Sequence, residues 1–288
     1  MGNNIMTTAH ALLKKFNNSK MLPHVAIRLS KLISDENSTM KEFEEIIRLD
    51  PTLVLRLLRV VNSPYYGLRQ KVNSIPRAVI FIGMKNLRNM VVTEALKYIF
   101  KQSSHNGTFS RSNLWLHCAA VSICSKMIAQ RIFGQKAEDA YLCGILHDIG
   151  MIVEDQVTHD LFVKTCEAYK PESGQITAYE TEIIGIDHTA IGYELARDWK
   201  LPPEVQEGIK LHHKSSDNIT PSSIAGIIQI AGHIASKLNF PAMPGMEGIL
   251  SPPLVTHIQN NLDEYKTLVR DLPDEMSKAR ELYEIQEG

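Results

Sequence analysis

The chain has 288 residues, 44% hydrophobic and 22% charged, with a formal net charge of −1 and a pI near 6.8. That content supplies a real core for one large or two modest domains and argues against disorder. A charge so near zero excludes nucleic acid or an anionic membrane as a partner that global electrostatics would require.

The opening text MGNNIMTTAHALLKKF has neither the long apolar core nor the cleavage site of a signal peptide, and Ala9 to Phe16 reads as a short amphipathic stretch. Leu22-Pro23-His24 opens a helix through Val25, Leu29, Leu32 and Ile33. Thr39-Met40-Lys41-Glu42 has capping-box spacing for a helix that buries Phe43, Ile46 and Ile47. Asp50-Pro51 starts the next helix, with Asp as N-cap and Pro in the first turn, where its missing N–H costs nothing. Leu53, Leu57, Leu58 and Val61 give its stripe, and Asn62-Ser63-Pro64 ends it, since the residue before proline resists the α conformation. Ser74-Ile75-Pro76 opens a helix broken at Gly83, and Leu87 to Phe100 forms another. Lys101 to Ser112, polar and carrying Asn-Gly, is expected to be a loop and the best domain boundary.

A long helix follows from Leu114 to Phe133, stopped by Gly134. In Ala140 to Glu154, Leu142, Ile145, Leu146 and Ile149 recur at three- and four-residue spacing, which marks a helix with one buried face and Gly150 as its stop. Further helices are expected over Val157–Tyr169 and in two pieces of Tyr179–Trp199 that meet at Gly185–His188. Another leads from Leu201-Pro202-Pro203 to His212–His213, and Pro221–Leu238 carries Ile224, Ile227, Ile228, Ala231 and Ile234 in register. Phe240–Pro253, rich in Pro, Gly and Met, reads as a long loop, with charged helices at Leu254–Leu262 and Glu275–Ile285. There is no convincing strand alternation and no repeat, so the expected fold class is all-α. No run reaches the ~18 apolar residues a spanning helix needs. Cys118, Cys124, Cys143 and Cys166 form no C-x-x-C pair, so a soluble, cytoplasmic chain in a reducing compartment is expected.

The chemistry centres on His147–Asp148. An imidazole and a carboxylate on adjacent positions can hold one cation, although a capped helix end is the bland reading of such a pair. His117 precedes it, and His188 and His212–His213 follow. This order resembles the HD superfamily of metal-dependent phosphohydrolases. Upstream, Asp50-Pro51-Thr52-Leu53, then Leu58-x-x-Val61-Asn62-Ser63, then Ile75-Pro76-x-Ala78 with Gly83, is similar to the HDOD family of bacterial signalling proteins, over roughly residues 20 to 215. The resemblance implies an N-terminal helical half at 18–110 and an HD-like half at 111–239. Residues 1–17 would be an extension, and 240–288 a C-terminal loop with helices.

In binuclear relatives, the resemblance implies two metals sharing the Asp of the pair. One site would take His117, His147, Asp148 and a late Asp, and the other Asp148, His188 and His212–His213. The text for the late Asp reads Ala231-Gly232-His233-Ile234-Ala235, without the carboxylate, and Met151 stands where catalytic members often carry Lys. A thioether cannot offset phosphate charge. The second donor set survives and suits a divalent transition ion such as Fe, Mn, Zn or Ni. One feature is independent of the resemblance. Pro51 to Val92 contains no acid but carries Arg56, Arg59, Arg69, Lys71, Arg77, Lys85 and Arg88, whereas residues 137–187 carry eleven acids against two basic residues. The basic block is a solvated face or a docking surface for an acidic partner or a phosphate-bearing, nucleotide-like ligand, with Tyr65 and Tyr66 placed to stack on a base. Nothing marks a DNA-recognition helix. The expected function is that of a regulatory HDOD protein that binds signalling partners, non-catalytic, with Asp148 the catalytic candidate if it acts as a phosphohydrolase on nucleotides or cyclic dinucleotides.

Overall fold

The computed structural model describes residues 9–18, 51–101, 105–106 and 108–279. The helices expected around Val25–Ile33 and Phe43–Ile47 lie outside the described residues, as does the Asp50 cap. The described chain is helical almost throughout: α1 (Ala9–Asn18), α2 (Pro51–Val61), α3 (Ile75–Ile82), α4 (Met84–Lys101), α5 (Arg111–Met127, continued by a π turn Ile128–Ile132), α6 (Glu138–Leu146) and α7 (Ile149–Val157). Then come α8 (His159–Ala168), α9 (Ile176–Ile183), α10 (His188–Asp198), α11 (Pro203–Leu211), α12 (Ile224–Lys237), α13 (Pro252–Asn260) and α14 (Leu262–Lys278). The fold class is all-α, as expected. The polar linker nevertheless holds a two-residue antiparallel ladder, His105–Asn106 against Phe109–Ser110.

Local chemistry sets the helix starts. Ser110, Asp187 and Ser223 each accept a hydrogen bond from a first-turn amide, at 3.4 Å from Asn113, 2.9 Å from Ala190 and 3.1 Å from Gly226. The Ser110 cap explains why α5 begins at Arg111 and not at Leu114. After α2, the Asn62 side chain donates to the Val72 carbonyl and accepts from the Val72 amide, both at 2.8 Å, which closes the loop that Pro64 opens.

Helix α5 is the axis of the core. It is buried on nearly every face and packs against α4, α6, α12 and α14. Its small residues permit close approach: a Cβ on Gly144 of α6 would lie 2.5 Å from the Ser122 Cα. Helix α1 is part of this assembly, burying Leu12, Leu13 and Phe16 and packing on α7 and α10. All four cysteines are free and buried. Among the described residues no helix is long and apolar enough to cross a membrane.

Two elements depart from the sequence reading. The helix expected to stop at Gly150 ends at Leu146, and after a break at His147–Asp148 a second helix, α7, starts at Ile149. Gly150 is therefore not a stop but lies in the first turn of α7, where a Cβ would stand 2.0 Å from the His188 carbonyl oxygen. Its lack of a side chain lets α7 and the start of α10 meet. At the C-terminus, α14 runs from Leu262 through Pro273 to Lys278 as one helix, burying Tyr265, Leu268, Leu272 and Met276, where the last helix was expected to begin only at Glu275.

Candidate metal centre

Four helix ends and one helix interior converge on the α6–α7 break. His117 comes from α5, His147 and Asp148 from the break, His188 from the first position of α10, and His212 and His213 from the end of α11. The candidate ligand atoms of His117, His147 and Asp148 lie within 4.8 Å of one another, as do those of Asp148, His188, His212 and His213. Asp148 is fully buried and its two oxygens face different halves. Oδ2 lies 3.2 Å from His147 Nε2 and 3.6 Å from His117 Nε2. Oδ1 lies 3.1 Å from His212 Nε2 and 3.4 Å from His188 Nε2.

The ring orientations follow from what each Nδ1 touches. His117, His147 and His212 direct Nδ1 at the carbonyl oxygens of Phe240, Gly144 and Ile209, at 2.6, 2.9 and 2.7 Å. A carbonyl can only accept, so each of these rings donates a proton from Nδ1 and turns Nε2 towards the centre. Burial lowers His117 and His212 to about 4, against the opposing pull of Asp148, so both are neutral near pH 7. The Nε2 atoms of His117 and His147 face each other at 3.2 Å. Two ring nitrogens turned to one point in this way are a donor set suited to a cation.

In the second half, His188 Nδ1 meets Glu180 at 2.7 Å, and Glu180 also accepts from the His188 amide at 3.0 Å. Burial would lower His188, but Glu180 and Asp148 outweigh it and raise its pKa well above the usual imidazole value. Asp148 is the mirror case: burial would raise its carboxyl, yet His147, His188 and His212 hold it well below the carboxylate range. Asp148 Oδ2 and His213 Nδ1 are buried without a hydrogen-bond partner. Two orphaned donor atoms at the focus of converging imidazoles fit a bound divalent ion.

The surroundings are less suited to phosphate. A small cavity beside the centre, bounded by Ile228, Gly232 and Ser236 of α12 and by Met246, Glu247 and Gly248 of the following loop, leaves only ≈ 20 Å³ for the centre of a water molecule. That is space for one or two waters by the usual ~10–15 Å³ requirement. Gly232, where the late Asp was expected, lines this cavity, and a Cβ there would have nothing within 4 Å. A larger groove of ≈ 500 Å³ reaches His213 from outside between Tyr169–Ile176 and Gly245–Ile249, with Glu172 and Glu247 on its walls. Neither space is lined by Lys or Arg. Met151 is fully buried within α7.

Sequence reasoning passed over Glu180 and Glu154. Glu180 is buried one turn after Ile176, and an acid on the buried face of a helix was the signal available. Glu154 is buried behind it, its carboxyl raised well above the usual range by burial and then by the Glu180 charge. The basic block divides. Arg56, Arg59, Arg69, Lys71, Arg77 and Lys85 are exposed. Arg88 does not belong with them: it is 3% exposed and donates to Asp139 at 2.7 Å, a partner it shares with Lys85 at 2.9 Å. Tyr65 and Tyr66 pack edge to face, with ring centres 5.0 Å apart, at the wall of a ≈ 270 Å³ cavity that also takes in Phe81, Lys126 and Tyr141.

Comparison with known proteins bears on this geometry. The HDOD domain family matches residues 20–215. A curated Treponema pallidum (strain Nichols) protein of uncharacterized function is 23% identical over 206 residues, 71% of this chain, and the chain spans only 39% of that relative's length. An HDOD domain protein of unknown function from Geobacter sulfurreducens superimposes with TM-score 0.72 at 22% identity, covering 94% of this chain and 97% of the other. A proposed phosphohydrolase from Shewanella amazonensis SB2B gives 0.69 at 27% identity, covering 97% and 98%. A proposed signal-transduction protein from Marinobacter aquaeolei VT8 gives 0.69 at 19%, covering 96% and 67%.

Proposed function

The chain belongs to the HDOD family, and from that premise we propose that it is a regulatory signalling protein whose His/Asp centre binds a divalent transition ion and does not hydrolyse phosphoesters. His117, His147 and Asp148 would hold an ion on one side, and Asp148, His188, His212 and His213 on the other. An imidazole-rich set of this kind favours Fe, Mn, Zn or Ni over Mg or Ca. Such an ion supplies Lewis acidity and an activated water when a position is open. What the chain's own residues lack is a means to bring a phosphate there.

The observation that carries the reading is the character of the approach. A phosphate entering the centre would meet Glu172, Glu247 and Asp148, with no Lys or Arg on either wall and space for little more than a water beside the dyad. Phosphoryl transfer relies on preorganised positive charge around the transferring group, so an approach lined by carboxylates and by no Lys or Arg opposes it. The same architecture suits a resident ion that ties α5, the α6–α7 break, α10 and α11 together, since an ion bound only in the native state stabilises it.

Partner binding is assigned to the N-terminal half (18–110) and metal binding to the HD-like half (111–239). There Leu55, Ile80 and Phe81 are exposed among Arg56, Arg59 and Arg77. Exposed apolar side chains on helices that also expose cations would suit an acidic signalling protein. Metal analysis of protein purified without chelator tests the reading. One tightly held equivalent in wild type, lost in Asp148→Ala, is expected. Metal-free wild type that takes up no Zn²⁺ or Mn²⁺ on titration would overturn it.

A further inference from the structure

We propose that Glu247, on the loop from Phe240 to Leu250, supplies to the His117/His147/Asp148 half of the centre the carboxylate that Gly232 does not. The inference rests on the metal-binding reading and names a ligand that no sequence position in the expected motif provides. The two halves are unequal: one brings four candidate donors together and the other three. Transition ions in N/O sites commonly take four protein ligands or three plus an exchangeable one. On the three-donor side, the buried Asp148 Oδ2 has no hydrogen-bond partner, so that half is both short of a ligand and aimed at a space.

The space is the one Gly232 leaves. Nothing lies within 4 Å of where its Cβ would be, and Gly232, Glu247, His117, His147 and Asp148 all border the same small cavity. The loop that carries Glu247 is fastened to the centre at both ends. Its first residue, Phe240, accepts the His117 Nδ1 proton at 2.6 Å. Near its other end, Gly248 sits against α12 so closely that a Cβ would come within 2.5 Å of the His233 nitrogen and 2.7 Å of the Gly232 carbonyl carbon. The Gly248 carbonyl also meets His233 Nδ1 at 3.0 Å. The backbone of residue 247 is thereby held over the gap in α12.

The Glu247 side chain is not committed elsewhere in a way that would hold it. It pairs with Lys237 at 2.8 Å, but both side chains are more than half exposed, 60% and 54%, and such pairs are weak. A cation beside Asp148 Oδ2 offers the carboxylate a stronger partner. Rotation about the side-chain bonds exchanges one for the other, with no proton released because the group is already ionised. Glu247 also lines the ≈ 500 Å³ outer groove, so its capture would change the wall of that groove as the ion binds.

Calorimetric titration of chelator-stripped full-length protein with Zn²⁺ tests this. Wild type is expected to show a tight event from the four-donor half and a second, weaker event. Glu247→Gln should keep the tight event and weaken the second at least tenfold. Lys237→Met, which removes the competitor, should strengthen the second event. Gly232→Asp placed in the Glu247→Gln background should restore it, because the carboxylate then comes from the helix. Thermal melts without metal should be equal for wild type and Glu247→Gln, since that side chain is exposed. If wild type binds no Zn²⁺ at all, the metal reading fails. If two events appear and Glu247→Gln leaves both unchanged, or a single event appears that it does not alter, the metal reading stands and the role of Glu247 is overturned.

Discussion

Replacing Gly232 by aspartate puts a carboxylate into the cavity beside Asp148, and the structure lets its cost be worked out. Room is not the obstacle, because the new Cβ meets nothing within 4 Å. Helix propensity favours the change slightly, by about 0.3 kcal/mol. Against this stands a second anion in a cavity that already contains a buried, unpartnered Asp148 oxygen and has only ≈ 20 Å³ for water. The new group escapes by taking a proton, which from a reference pKa of about 3.9 costs at most about 4 kcal/mol at pH 7. Residual hydration lowers that ceiling, so a net loss of about 2–4 kcal/mol is expected, or roughly 4–16 °C in Tm at about 2–4 °C per kcal/mol. At pH 5 the ceiling falls to about 1.5 kcal/mol, so the gap to wild type should narrow. Saturating Zn²⁺ or Mn²⁺, at about a hundred times Kd, should return about 2.7 kcal/mol at pH 7. Differential scanning fluorimetry of chelator-stripped protein at both pH values, with and without metal, measures all three. A variant as stable as wild type without metal at pH 7, and unmoved by added metal, would show that position 232 does not face the centre.

Other perturbations probe the frame. Arg88→Glu removes a buried guanidinium and sets a like charge against Asp139, so denaturant melts should show a loss of at least about 2 kcal/mol, whereas Arg56→Glu and Arg59→Glu on the exposed face should each cost under about 0.5 kcal/mol. Gly150→Ala would drive a methyl group into the His188 carbonyl, and a loss of about 1–3 kcal/mol together with weakened metal uptake is expected by melting and titration. Burial would raise Asp139, but the hydrogen bonds and charges of Lys85 and Arg88 outweigh it and hold its carboxyl below the usual value. A carboxyl depressed in the folded state contributes stability above the unfolded value near about pH 4, lost as pH falls through the folded value. Acid melts of Asp139→Asn should therefore be flatter than wild type in that window, and an identical acid profile would contradict the pairing.

Most of the fold was legible because it rests on local patterns. The apolar spacing of α6 and α12, the Pro64 stop and the Gly185–His188 junction are periodic or conformational signals that one strand of text carries. What the text hid was tertiary. Gly150 reads as a helix stop in any sequence, and only the proximity of the His188 carbonyl shows that it is a contact point inside a helix. Arg88 looked like its neighbours in an acid-free run, since its partner Asp139 lies 51 positions away. The candidate site was partly legible: the histidines and Asp148 were named from their order, and the structure brings them within reach of one another. Glu180 was missed because an outer ligand is recognised by the ring it holds, which sequence does not display. The expected last helix started only at Glu275, after Pro273, whereas α14 starts at Leu262 and its buried stripe from Tyr265 to Met276 carries the helix through the proline.

The measurement that tests the central claim most directly is phosphoester turnover by metal-loaded wild-type protein. Protein reconstituted with Mn²⁺ or Fe²⁺ is incubated with mononucleotides, cyclic dinucleotides and an aryl phosphate, and product is followed by chromatography. Because the approach to Asp148 presents carboxylates and no Lys or Arg, the account predicts no turnover above metal alone. Metal-dependent turnover that disappears in Asp148→Asn would contradict it and make the centre a hydrolase.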